Sequence, residues 1–170
     1  KAALESRNIE GNTSLMLSVI QGNIRLTELL LKMKADIKTK NNQQQTALHI
    51  AASRGDVKML EYLLQNTEVA LALIDVQNAK GDTPLHLAVQ FGQDNVISLL
   101  LEAGAYHKIK NEQGKTPIDL SIEQKKPNFI VQTVRRLKKD KLKETDRLHQ
   151  VFVEQVSEIA TLKTALQNQE

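Results

Sequence analysis

Four threonines set the strongest constraint on this chain. Thr13 opens TSLMLSVIQG, Thr46 opens TALHIAASRG, Thr83 opens TPLHLAVQFG and Thr116 opens TPIDLSIEQK, at spacings of 33, 37 and 33 residues. Two positions after each stands Leu15, Leu48, Leu85 or Ile118, and five positions after each stands a small residue, Ser18, Ala51, Ala88 or Ser121. The seven glycines occupy three slots of the same period. Gly11, Gly81 and Gly114 lie two before a threonine, Gly22, Gly55 and Gly92 nine after one, and Gly104 twenty-one after one. Glycine supplies positive φ in tight turns, so a glycine set confined to three slots means that the same turns recur.

Between those slots, TELLLKM, MLEYLL and VISLLLEAG carry apolar residues at helical spacing. Each unit therefore reads as a turn, a short helix, a glycine turn, a longer helix and an extended stretch. Such a unit cannot bury its own apolar face, but stacked neighbours can, which makes a solenoid. The apolar fraction of 41 % is enough for that core, and with aromatics at 3 % its large members must be Leu, Ile and Val. The period predicts an all-α solenoid of stacked helix-turn-helix units near 5–37, 38–74, 75–107 and 108–137. The second unit carries four extra residues, expected within NTEVALALIDVQNAK, with Val69, Leu71 and Ile74 tucked back onto the stack.

The units resemble ankyrin repeats, whose signature is T-P-L-H-x-A within a 33-residue period. Thr83, Pro84, Leu85, His86 and Ala88, with Gly92 and LLLEAGA at 99–105, carry the likeness most fully; Thr46, Ala47, Leu48, His49 and Ala51 follow closely. The resemblance spans about residues 5–137 and implies an ankyrin-repeat solenoid over 1–137. It also implies that the threonine hydroxyl and the histidine ring hydrogen-bond within and between turns. The departures are local. Gln44 replaces the glycine before Thr46, and Lys34 and Thr67 replace the glycine that Gly104 keeps. The fourth unit has Asp119 in the histidine slot, Lys125 in the glycine slot and Pro127 nearby, the polar substitutions expected of a terminal cap.

The stretch GDTPLHLAVQFG, with its acid, threonine and histidine, invites a catalytic reading. Yet His49 and His86 stand in the same slot of successive units, and no serine, acid or cysteine recurs beside them in a triad arrangement. Asp82 and Asp119 fall in different slots of different units, which weighs against a carboxylate pair. There is no phosphate loop, HExxH, GxSxG or calcium loop. With no cysteine, a disulfide framework, a thiolate metal site and a cysteine nucleophile are excluded. The expectation is no catalytic residue, no cofactor and no metal within residues 1–170; an enzyme's active site would lie outside them.

Function is then expected on the variable surface. By the family resemblance, a protein partner is bound through the turn tips and the exposed side of the first helix of each unit. The tip candidates are Gln43, Gln45, Lys80, Asp82, Gln113 and Lys115, and the helix candidates are Ser53, Arg54, Gln90 and Phe91. Phe91 shares its slot with Gln21, Arg54 and Gln124, so an aromatic there is a candidate hot spot; the alternative is a ring folded over its neighbour or the insertion. Arg54 beside it in the stack offers a charged or bidentate contact. Tyr106 is expected either against the fourth unit or widening the surface.

Beyond residue 137 the register ends. Over 138–170, Leu148, Phe152, Ile159, Leu162 and Leu166, with Val156 beside them, describe an amphipathic helix. It would cap the stack, pair in a coiled-coil-like way with another chain or an adjacent domain, or lie on a membrane surface. Residues 135–147 hold seven basic and three acidic side chains, and net charge is only +3. Interspersed acids and the lack of an aromatic platform weigh against nucleic acid. No apolar run approaches the roughly 18 residues of a membrane span. The expected function is a non-catalytic protein–protein interaction module in the cytoplasm, the targeting part of a larger protein. The Asn-, Gln- and Lys-rich composition also fits a bacterial effector acting in the host cytosol. The rival is an architectural or regulatory segment whose C-terminal helix caps the stack or oligomerises.

Overall fold

The computed structural model describes residues 4–66, 72–124, 130–145, 147 and 150. Its helices are α1 (Ser14–Ile20), α2 (Ile24–Lys32), α3 (Ala47–Arg54), α4 (Val57–Asn66), α5 (Pro84–Gln90), α6 (Asp94–Glu102) and α7 (Pro117–Glu123). Residues 130–145 are also helical. An isolated antiparallel bridge joins Arg7 and Thr13. The chain divides into two compact units, Lys1–Thr133 and Val134–Glu170.

In the first unit each repeat threonine is a helix N-cap. Thr13, Thr46, Thr83 and Thr116 are extended, with ψ between 164° and 171°. The hydroxyls of Thr13, Thr83 and Thr116 accept from the amide three residues on. Such a cap is worth about 1 kcal/mol. Pro84 and Pro117 follow at the first helical position, where a missing N–H costs nothing. The short helix ends at a glycine slot: Gly22, Gly55 and Gly92 have φ of +68° to +73°. There the chain reverses, and the amides of Asn23, Asp56 and Gln93 donate back to the carbonyls of Ser18, Ala51 and Ala88. This is the six-to-one bond of a left-handed C-cap.

The helix pairs then stack. α1 packs on α2 and α3, α3 on α4 and α5, α5 on α6 and α7, and α4 on α6. The small residues five after each threonine are buried at these contacts, and Leu15, Leu48 and Leu85 lie beneath them with Met59, Leu60, Leu63, Val96 and Leu100. Each fully buried side chain of this size stabilises by roughly 1.5–3 kcal/mol. The result is one elongated core shared by successive units, as the period requires.

The insertion is located by register. Ile37 and Ile74 both lie nine before the next threonine, and both are buried. The four extra residues expected in the second unit therefore fall before Ile74. Ile74 does pack on the stack; Val69 and Leu71 lie outside the described residues, as do Lys125 and Pro127. In the second compact unit, 134–145 is a largely exposed helix, with Leu142 exposed and Leu137 half-buried. The apolar series at Leu148, Phe152, Val156, Ile159, Leu162 and Leu166 lies outside the described residues. Among the described residues, no helix is long and apolar enough to cross a membrane.

Candidate partner-binding groove

The tips are built around an asparagine five residues before each threonine: Asn8, Asn41, Asn78 and Asn111. Each side-chain oxygen accepts from the amides two and four residues on, at 2.9–3.1 Å. A short amide side chain that satisfies its own turn in this way fixes the loop. The slot two before the threonine turns left-handed in all four units, at Gly11, Gln44, Gly81 and Gly114. Successive tips are then cross-linked through backbone. Asn42 N–H donates to Glu10 O (3.0 Å), Ala79 N–H to Gln43 O (3.0 Å) and Glu112 N–H to Lys80 O (3.1 Å). The asparagines recur at 33, 37 and 33 like the threonines, so their slot was readable; a register keyed on threonine and glycine passes over it.

The histidines are scaffold for these tips. Thr46 N–H donates to His49 Nδ1 at 3.2 Å, and His49 Nε2 lies 3.0 Å from the carbonyl oxygen of Asp82 in the next unit. An amide can only donate and a carbonyl can only accept. The ring is therefore the neutral tautomer with its hydrogen on Nε2. His86 repeats the arrangement with Thr83 N–H (3.1 Å) and Lys115 O (3.0 Å). Burial pushes the His49 pKa down to about 4, against the opposing pull of the Asp82 carbonyl, and burial lowers that of His86 as well. In the fourth unit Asp119 takes the intra-turn half of the job: its carboxylate accepts from the Thr116 amide (2.8 Å) and hydroxyl (2.7 Å), which hold its pKa below the usual carboxylate range. Among the described residues, no group of three His, Asp or Glu side chains is placed to hold a metal.

Between the tips and the first helices runs a groove of three successive hollows, of about 390, 260 and 430 Å³. Gln43 and Gln45 form the tip side of the first hollow, and Ser53 and Arg54 its helix side. The second brings together Gln43, Gln45, Lys80, Asp82, Gln90 and Phe91. The third includes Lys80, Asp82, Gln90 and Gln113. Ile50, Leu87 and Leu120, each four after a threonine, line the three hollows in turn. These apolar groove residues were missed because an apolar residue on a short helix reads as core.

Within this groove the candidates differ. Phe91 is the C-cap of α5 and is 57 % exposed, so its ring is not folded away. Arg54, Gln43, Lys80, Gln90 and Gln113 are exposed, while Gln45 and Ser53 are half-buried. Asp82 is only 5 % exposed, and its carboxylate accepts from Asn111 Nδ2 at 2.8 Å, so it chiefly braces the wall. Lys115 Nζ is held by the Glu123 carboxylate at 2.8 Å, joining tip to helix in the fourth unit. Arg54 and Phe91 line neighbouring hollows, not the same one. Tyr106 stands outside the groove, exposed, with its ring tilted 51° to that of His107 at 6.0 Å between centroids.

The family model for ankyrin repeats in three copies matches residues 1–72 and 66–143. The chain belongs to the ankyrin-repeat family. It is 42 % identical over 66 residues to ankyrin repeat and SOCS box protein 11 of Danio rerio, a match covering 36 % of this chain and 22 % of that protein. It is 43 % identical over 54 residues to NF-kappa-B inhibitor alpha of Sus scrofa, covering 32 % of this chain and 17 % of the relative. It is likewise 43 % identical over 49 residues to palmitoyltransferase ZDHHC13 of Homo sapiens, covering 29 % and 8 %. The chain thus spans less than a quarter of the length of each of these relatives. Ankyrin repeats are in general non-catalytic protein–protein interaction modules, and the Thr-His capping network shows why their histidines are structural.

Proposed function

We propose that this ankyrin stack holds a segment of a protein partner along the groove, with Phe91 as its apolar anchor and Arg54 as a polar contact one hollow away. The observation that carries the reading is the Phe91 ring, exposed at the end of a buried helix and lining a hollow with Leu87 and the Gln43, Gln45 and Lys80 tips. Aromatic and arginine side chains dominate interface energies when they seat in such pockets. The rims carry amides and both signs of charge, which suits a polypeptide better than a phosphate backbone. The setting we propose is the cytoplasm, as the targeting part of a larger protein. Delivery into a host cytosol rests on composition alone.

The test is capture of partner by residues 1–170 compared with the variant Phe91→Ala, Arg54→Glu. Capture should fall at least tenfold, with far-UV circular dichroism unchanged because both side chains are exposed. Equal capture by the two proteins would remove this part of the groove from the binding surface.

A further inference from the structure

The hollows of the groove recur with the units, one for each step between the first helices α1, α3, α5 and α7. Packed helices lie roughly 8–10 Å apart, so the hollows repeat at about that distance. Each holds one large apolar side chain that is not fully buried: Ile20 in the first, Phe91 in the second and Leu120 in the third. A bound segment that follows the groove must therefore present an apolar group at the same interval.

Glutamines stand between those sites. Gln43 lines both the first and the second hollow, Gln90 both the second and the third, and Gln113 the third. All three are exposed, and among the described residues their side-chain amides have no hydrogen-bond partner. A primary amide donates and accepts, so it can pair with the N–H or the C=O of a polypeptide main chain. The tip backbone offers no such donors. Every amide at 42–45, 79–82 and 112–115 already donates within the fold.

Three conformations of a bound segment can be compared with this pattern. An added β-strand needs free edge donors, which the tips lack, and its same-face side chains lie about 7 Å apart. An α-helix brings residues seven apart to a spacing of about 10 Å, but it satisfies its own main chain and leaves the glutamines unused. A polyproline II segment has no internal hydrogen bonds and returns to the same face every three residues, about 9 Å along its axis. The geometry points to a segment of this last kind as the occupant. Its apolar residues, at every third position, seat in successive hollows, and its main chain is held by Gln43, Gln90 and Gln113. The assignment rests on the groove around Phe91 being the partner site.

Random peptides displayed on phage and selected on residues 1–170 test it. Recovered sequences should carry apolar residues three apart with prolines between them. As synthetic peptides they should bind about fivefold more weakly to Gln90→Leu and at least about tenfold more weakly to Phe91→Ala. Both side chains are exposed, so neither change should disturb the fold. Apolar residues seven apart or at alternate positions, or unchanged binding to Gln90→Leu, would overturn the assignment and leave the groove as the site. Recovery of no peptide would overturn it too, because a short linear segment would then not suffice. Peptides that bind Phe91→Ala as tightly as the parent would instead remove the groove itself as the partner site.

Discussion

His49 Nε2 lies 3.0 Å from the backbone oxygen of Asp82, thirty-three residues away, while Nδ1 of the same ring accepts from the Thr46 amide. One buried side chain thus satisfies the entrance of its own helix and the tip of the next unit. Replacing it with alanine leaves a buried amide without its acceptor and a carbonyl without its donor, and opens a cavity. We expect His49→Ala to cost about 3 kcal/mol, since each unsatisfied buried group costs roughly 1–3 kcal/mol. Urea unfolding followed at 222 nm measures it. A cost under 0.5 kcal/mol would show that the ring does not join the two units.

The same geometry sets a pH dependence. In the folded chain His49 titrates near 4, below the ordinary 6.5, because burial opposes the charge and Nδ1 already faces an N–H donor. The stability linked to its neutral form is full above pH 6.5 and is lost as the pH falls from there towards 4, with His86 acting in the same direction. At one pKa unit per 1.36 kcal/mol, His49 alone accounts for about 3 kcal/mol across that window. Urea midpoints taken between pH 7.5 and 4 should fall, and a His49→Gln variant should show a shallower slope. Identical slopes would place the acid sensitivity elsewhere.

Gln44 sits at φ +58° in a slot that Gly11, Gly81 and Gly114 fill in the other units. A side chain there costs roughly 1 kcal/mol in the left-handed region. Gln44→Gly should therefore raise stability only slightly, by about 0–0.5 kcal/mol, after the extra unfolded-state entropy of glycine is deducted. The reverse change is harsher at Gly81, where a Cβ would stand 2.6 Å from the Glu112 amide nitrogen. Gly81→Ala should cost more than Gln44→Gly gains, in paired urea titrations of the two variants. A stabilising Gly81→Ala would contradict the tip ladder.

Much of this architecture is legible in the chain because each slot has one physical job. Threonine caps, glycine turns left, the small residue lets helices approach, and the spacing of those jobs gives the solenoid. Asp82 shows what a slot reading misses. It sits at a tip and reads as surface, yet Asn111 reaches back from the next unit and holds it in the wall. That contact joins residues 29 apart and depends on how tightly the tips stack. Leu87 shows the converse. Its slot was visible and reads as core, and Leu87 is indeed buried, yet it also lines the open groove beside the tips.

Ser18 Oγ and Thr27 Oγ1 lie 2.7 Å apart, both fully buried between α1 and α2. The same two slots hold Ala51 and Leu60, then Ala88 and Ile97, in the next units, so this polar pair is peculiar to the first. With one hydrogen each, one hydroxyl donates to the other, and the accepting hydroxyl donates to its own carbonyl, Leu15 O for Ser18 or Asn23 O for Thr27. Removing one hydroxyl strips a partner from the other, and either Ser18→Ala or Thr27→Val alone should cost about 0.5–1 kcal/mol. Removing both with near-isosteric apolar groups leaves nothing unpaired, so the double variant should be neutral or stabilising. The coupling energy from the double-mutant cycle then exceeds about 1 kcal/mol. Additive losses would mean that the two hydroxyls act separately, each through its own carbonyl.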